Sequence, residues 1–316
     1  MPTPPSTNPP GTRPGLEALA TAEGRFAVLA IDQRGSIVAG LGRPGRPGAP
    51  ADVTRFKLEA CRALAPGASA VLLDPDYGLA PALEAGVVPD GVGVLVTQET
   101  EAPRDVGGGR LSARHQERDA AFVARSGGQA AKFMVWLRPD RPRGAGEPDL
   151  VAETVAAVRE VVADCAAAGL PSVVEALSYP LPGEAPLDPG AKAAVVLESA
   201  RLLAATGPAL LKLEYPGGPA ACRRVTDTVG MPWAVLSAGV GFDEFLGNLR
   251  VAMDGGASGF IAGRAIWKDA MGLDGQERTA FLGDVARRRL DTCVRAMEGR
   301  GRSFAEAGRA MGRGGG

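Results

Sequence analysis

Eight short apolar runs, each bounded by turn residues, recur along the chain. They are FAVLAIDQ (26–33), AVLLDPDYG (70–78), GVGVLVTQ (91–98), AKFMVWLR (131–138), PSVVEALSY (171–179), ALLKLEYP (209–216), PWAVLSAG (232–239) and SGFIAGR (258–264). Nearly continuous hydrophobicity over so short a span marks strands buried on both faces, as in a parallel sheet. Amphipathic stretches of helical period separate most of them, among them 51–65, 149–168, 190–205 and 243–255. A last helix over about 275–299 ends the series. Eight strands alternating with helices over roughly 250 residues predict an α/β fold of the (β/α)8 barrel (TIM barrel) type in a single domain. The competing architecture is a doubly wound sheet, which ordinarily carries a glycine-rich dinucleotide turn after its first strand. Here the first strand ends IDQRGS and no GxGxxG follows, so the barrel is preferred.

One strand breaks its own pattern. In ALLKLEYP, Lys212 stands among Ala209, Leu210, Leu211 and Leu213, where an ammonium without a partner is costly. The active site of a barrel lies at the carboxyl ends of its strands, so the polar residues there carry the chemistry. Strand one ends Asp32-Gln33-Arg34, strand two Asp74-Pro75-Asp76-Tyr77, and Lys132 and Glu175 stand in the AKFMVWLR and PSVVEALSY strands. Side chains alternate faces along a strand. With Lys212 inward, Leu211, Leu213 and Tyr215 face the helices, and the same phase turns Lys132 and Glu175 inward too. Three consecutive barrel strands then aim ionisable groups at one interior. A desolvated lysine beside a second ammonium can supply the neutral amine for attack on a ketone, giving a protonated imine that acts as an electron sink. Glu175 is of the type that shuttles protons during dehydration of the carbinolamine, and Asp32 of the type that handles a hydroxyl proton at C–C cleavage. Against this stands the ordinary meaning of each piece: a lone strand lysine usually snorkels at an edge, and a buried Lys–Glu pair can be a structural ion pair.

The last two strands add a separate signal. LSAGVGFDEF (236–245) presents Ser237, Ala238, Gly239 and Gly241 at a helix start, and AGRAIW (262–267) presents Gly263 and Arg264. Small residues admit close backbone approach, a helix N-terminus attracts anions, and arginine adds a two-pronged donor. Together they predict a phosphate site between the last two loops, a common position in barrels.

Composition narrows the partners. The chain is 45% hydrophobic and 22% charged with a formal net charge of −1, so nothing invites nucleic acid or an anionic membrane, and a small-molecule ligand is expected. There is no secretory h-region in MPTPPSTNPPGTRPG and no run of roughly 18 apolar residues, the least that spans a bilayer. Cys61, Cys165, Cys222 and Cys293 are scattered without metal or redox spacing, and a reducing cytoplasm is the expected compartment. A metal hydrolase or aldolase normally draws on several histidines. This chain has one, His115, in a charged stretch that reads as helical, and Asp74 and Asp76 flank a proline as a strand-ending turn does. No metal and no cofactor are expected. Residues 1–14 and the Gly/Arg-rich 301–316 read as disordered tails around a barrel domain of 15–300.

Taken together, AIDQRG, LLDPDYG, KFMVWLR, VVEALSY, LLKLEYP, LSAGV and IAGRAIW resemble the class I tagatose-1,6-bisphosphate aldolases and their relatives, the sulfofructose-phosphate aldolases. The resemblance runs from about residue 16 to 298. It implies that Lys212 is the Schiff-base lysine, Glu175 the acid/base and Lys132 the second lysine, with Asp32 and Gln33 at the first strand. It further implies that Ser237, Gly239, Gly263 and Arg264 hold phosphate, and that a ketose 1-phosphate is cleaved to dihydroxyacetone phosphate and an aldehyde without metal, in a homo-oligomer. IDQRG, DPDYG and EALSY look like the tagatose branch; MPWAVLSAGV and RVAMDGGASGFIAGRAIW look like the sulfofructose branch. The pocket for the far end of the substrate would then separate a second phosphate, a sulfonate and a neutral hydroxymethyl, with Arg34, Arg138, Ser178 and the 99–128 segment as candidates. Two other classes stay open. A non-catalytic sugar-phosphate sensor would be expected to lose the lysine or the glutamate, and an isomerase or epimerase would need acid/base pairs but no imine.

Overall fold

The computed structural model describes residues 15–42 and 48–309. The expected tail 1–14 lies outside the described residues, as does 310–316. All eight expected strands form: β1 Phe26–Ala30, β2 Ala70–Leu73, β3 Gly93–Thr97, then, after a hairpin of β4 Arg104–Val106 and β5 Gly109–Leu111, β6 Ala130–Trp136, β7 Ser172–Leu177, β8 Leu210–Leu213, β9 Trp233–Val235 and β10 Gly259–Ala262. The parallel strands close into a barrel in the order β1-β10-β9-β8-β7-β6-β3-β2. The helices that cover it include α1 Gly35–Leu41, α2 Pro50–Leu64, α3 Leu79–Glu84, α4 Ala120–Arg125, α5 Leu150–Ala168, α6 Pro189–Ala204, α7 Pro219–Val229, α8 Phe242–Asp254 and α9 Arg264–Trp267. The expected last helix begins at Gly275 (α10, Gly275–Phe281), passes a π turn over Leu282–Ala286 and continues as α11 Arg287–Arg295.

Local chemistry explains the helix limits. Asp149 accepts a hydrogen bond from Ala152 N at 2.9 Å and starts α5, which ends on Gly169 at φ +71°. Asp188 accepts from Gly190 N and Ala191 N, and Pro189 follows as the first residue of α6. The charged stretch around His115 is not helical as expected. Asp119 accepts from Phe122 N at 2.6 Å, so the helix begins only at Ala120, and the backbone of Arg114 instead forms an isolated antiparallel β-bridge with that of Glu99.

Two apolar layers result. Between sheet and helices lie residues such as Phe56, Phe133, Leu211, Trp233 and Trp267. Inside the barrel lie Val28, Ala30, Leu72, Leu95, Ala130, Val173, Leu210, Ala234 and Ile261, floored by Leu19 and the partly buried Phe304. The chain therefore does not fray at 301 as expected. Phe304–Arg309 forms α12, Phe304 N donates to Gly24 O at 2.9 Å, and the Phe304 ring lies 6.0 Å from that of Phe26. An aromatic that covers the open lower end of the interior outweighs the glycine content around it.

Candidate active site

The interior layer fixes what stands above it. Two residues beyond Ala30, Ala130, Val173 and Leu210 on the same inward face come Asp32, Lys132, Glu175 and Lys212. The β7–β8 register sets Glu175 opposite Lys212. Lys212 Nζ lies 3.0 Å from Glu175 Oε1, while the other oxygen, Oε2, lies 2.8 Å from Lys132 Nζ. Lys132 also reaches Asp32 Oδ2 at 3.0 Å and Glu99 Oε1 at 2.5 Å. Lys132 is 2% exposed and Lys212 4%, so both ammonium groups are buried with their partners.

Glu99 was not singled out as a member of this cluster. It follows the strand run in TQETEAP, which reads as loop, yet Leu95, Thr97 and Glu99 keep the inward period of two. Its second oxygen accepts from Met134 N at 3.2 Å, which fixes the carboxylate on β6. Two ammonium groups thus face three carboxylates. Burial opposes the charge on each group, and the opposite charges outweigh it. Desolvation is overcome by Lys132 and Lys212 around Asp32 and Glu175, whose carboxyls are held below the usual range. Against the same desolvation, Asp32, Glu175 and Glu99 hold the Lys132 ammonium well above the ordinary lysine value. The Lys132 ammonium is thus matched by three buried carboxylates, those of Asp32, Glu99 and Glu175.

A second buried pair supports the end of β1. Lys57 of α2 pairs with Asp74 and donates to Ile31 O and Gln33 O, both at 2.7 Å, so its ammonium bonds the carbonyls on either side of Asp32. Asp74 also accepts from Tyr77 N at 2.8 Å, the strand-ending turn that the sequence indicates. Asp76 pairs instead with Arg34 at 2.8 Å and Arg118 at 2.5 Å. With their carboxylates taken up in this way, Asp74 and Asp76 form no common cation site.

The two expected phosphate loops meet. Ala238 and Gly239 follow β9 at φ +48° and +80°. A methyl group on Gly239 would lie 3.2 Å from the Arg264 guanidinium carbon, so that guanidinium is stacked on the bare backbone of the loop. Gly263 has a different reason to be glycine: a Cβ there would come within 1.9 Å of Ala30 O on β1. Ser237 is buried and accepts through its carbonyl from Val240 N at 3.1 Å, while Lys268 donates to Gly239 O at 2.8 Å, pinning the loop from below. Among the described residues, the Arg264 guanidinium has no ion-pair partner.

Asp32, Gln33, Arg34, Glu99, Lys132, Glu175, Lys212 and Arg264 line one open cavity of about 320 Å³ at the carboxyl ends of the strands. Ser237, Ala238, Gly239 and Gly263 adjoin it through Arg264 rather than lining it. Asp32 Oδ1 and Gln33 Oε1 are buried without a hydrogen-bond partner, acceptors free for a ligand hydroxyl or ammonium. Of the candidates for the far end, Arg138 is locked by Asp140 at 2.8 Å and Glu184 at 2.6 Å, and Ser178 by Lys192 and Glu214.

A sequence model of the DeoC/LacD family aldolases matches residues 26–269. The tagatose 1,6-diphosphate aldolase of Listeria monocytogenes is 28% identical over 292 residues, 83% of each chain. Tagatose 1,6-diphosphate aldolase 2 of Enterococcus faecalis is 26% identical over 295 residues, 83% of this chain and 84% of that one. The fold is similar to that of the fructose-bisphosphate aldolase of Plasmodium falciparum, with a TM-score of 0.71 at 16% identity over 91% of this chain and 94% of that one. The barrel, the lysine–carboxylate cluster above its core and a family match from the first strand past the last lead to one assignment: this chain is a lyase that belongs to the DeoC/LacD family of aldolases.

Proposed function

We propose that the chain is a class I aldolase that cleaves a ketose 1-phosphate, such as tagatose 1,6-bisphosphate, to dihydroxyacetone phosphate and an aldehyde through an imine on Lys212. The observation that carries this reading is the contact of Lys212 Nζ with Glu175 Oε1 at 3.0 Å, while Lys132 holds Oε2 at 2.8 Å. Glu175 takes the proton that Lys212 must lose before it attacks the C2 carbonyl. It returns that proton to the carbinolamine oxygen, which leaves as water. The iminium then accepts the electron pair of the C3–C4 bond as that bond breaks. Asp32 Oδ1 takes the proton of the C4 hydroxyl as the aldehyde forms, and the later protonation at C3 returns the site to its starting charge. Protonation at C3 and hydrolysis of the imine release dihydroxyacetone phosphate and restore the amine. Lys132 remains charged and keeps Glu175 and Asp32 oriented. The Ser237–Gly239 loop and the Arg264 guanidinium hold the C1 phosphate.

Borohydride reduction in the presence of dihydroxyacetone phosphate tests the reading. An adduct on the peptide bearing Lys212 is expected, and Lys212→Met is expected to lose both adduct and turnover while keeping a cooperative thermal transition. Turnover by that variant, or an adduct on another lysine, would overturn the proposal. Loss of activity on treatment with a chelator would point instead to a metal-dependent lyase.

A further inference from the structure

One buried ion pair takes no part in the proposed reaction. Lys57 of α2 is 1% exposed and Asp74 fully buried, and neither lines the cavity that contains Lys212. An ammonium carries three N–H donors. Those of Lys57 meet three acceptors: the Asp74 carboxylate, Ile31 O at 2.7 Å and Gln33 O at 2.7 Å. Asp74 Oδ1 takes Lys57 and Oδ2 takes Tyr77 N, 2.8 Å away. An ion pair buried for stability alone gains little over a well-packed apolar pair. What sets this one apart is its hold on two backbone carbonyls.

Those carbonyls belong to the stretch that carries the free acceptors of the site. β1 ends at Ala30 and α1 begins at Gly35, so residues 31–34 lie outside both elements. The start of the stretch is fixed by its neighbours in the barrel: Ile31 N donates to Leu72 O at 2.9 Å, and Ala30 O accepts from the Trp267 indole at 3.0 Å. Asp32 Oδ2 accepts from Lys132 at 3.0 Å, while Asp32 Oδ1 and Gln33 Oε1 are buried with no hydrogen-bond partner among the described residues. One ammonium bonded to the carbonyls of residues 31 and 33 restricts the backbone torsions of Asp32 and Gln33, and with them the directions of both side chains. The anchor is firm, because α2 buries Lys57 on the same face as Val53, Phe56, Ala60 and Leu64. Its charge acts in the same sense. Burial opposes the Asp32 carboxylate, Lys132 and Lys212 favour it, and Lys57 adds to them.

We propose that Lys57 is a positioning residue for C–C cleavage: paired with Asp74 and bonded to Ile31 O and Gln33 O, it aims Asp32 Oδ1 and Gln33 Oε1 at the hydroxyls of the bound ketose. This rests on the aldolase reading above, in which Asp32 takes the C4 proton. Imine formation draws on Lys212 and Glu175, on β8 and β7, and does not need the end of β1.

The test separates those two steps in Lys57→Met and in Lys57→Met/Asp74→Asn. The second variant removes the carboxylate that the first leaves buried without its cation, so it keeps the fold where the single change damages it. Thermal unfolding followed by circular dichroism reports the fold of each. In both variants borohydride is expected to trap dihydroxyacetone phosphate on Lys212 as in wild type. Cleavage of a ketose 1-phosphate is expected to lose about 100-fold in kcat, the effect of misplacing a reacting group by about 1 Å, with KM close to the wild-type value. The double variant should regain stability without regaining kcat. Wild-type kcat in either variant, recovery of kcat together with stability, or loss of adduct in proportion to loss of cleavage would show that Lys57 serves the fold alone and would overturn the inference. No adduct in wild type would overturn the aldolase reading itself, and this inference with it.

Discussion

Lys132 bonds three carboxylates between 2.5 and 3.0 Å inside a barrel, and its removal exposes what that arrangement does. Lys132→Met leaves Asp32, Glu99 and Glu175 buried together without their common cation. A loss of about 3–5 kcal/mol is expected from breaking a buried ion pair by deleting one partner. The pH profile carries a sharper signature. Asp32 and Glu175 have folded pKa values below their unfolded ones, about 3.9 and 4.3. Their contribution is therefore complete above those values and is lost as pH falls through the lower folded ones. Lys132 is shifted upward, so its contribution is complete below about 10.4 and is lost as pH rises through the higher folded value. Urea midpoints should be flat between about pH 5 and 10 on this account and fall outside that window. In Lys132→Met the acid limb should move to higher pH, and superimposable acid limbs would refute the cluster's role. At this scale the sequence was half legible. Lys132, Glu175 and Lys212 betrayed themselves as charges inside apolar runs. Glu99 and Lys57 did not, because one stands past a strand's end and the other on a helix, where charge is ordinary.

The strands were legible because double-sided burial makes each a nearly unbroken apolar run, and the eight runs coincide with the eight barrel strands. The hairpin was not. Its strands are three residues long, largely solvent-facing in β4, and Arg104, Asp105 and Arg110 read as loop. Its turn is Gly107-Gly108 at φ +56° and +76°, a pair that suits a tight hairpin but also occurs in any glycine-rich connection. The β10–β1 contact yields a prediction at this scale. Ala30 O accepts from the Trp267 indole at 3.0 Å, and a methyl at 263 would intrude between them. Gly263→Ala is expected to cost about 1–3 kcal/mol, as overpacking does, and to raise KM by displacing the adjacent Arg264. Thermal unfolding and substrate titration check both parts; an unchanged KM in a destabilised variant would separate packing from phosphate binding.

Across the whole molecule, the four cysteines behave as packing residues. All are buried and unpaired, and burial pushes their thiols up to about 12 for Cys61, Cys165 and Cys293 and about 11 for Cys222. Native protein should resist a thiol reagent at pH 8 and react with four equivalents once unfolded; rapid labelling of the native state would show that the helical layer opens easily. The floor of the barrel has a further consequence. Leu16, Ala20 and Phe304 pack against the interior layer that begins at Phe26, the first residue of β1, while the lysines stand at the carboxyl ends. The two described ends of the chain therefore leave from one side of the molecule, opposite the mouth. A tether attached at either end could fix the protein to a bead or an electrode with its entrance turned outward, and the two ends could be spliced together to open the chain at a surface loop elsewhere.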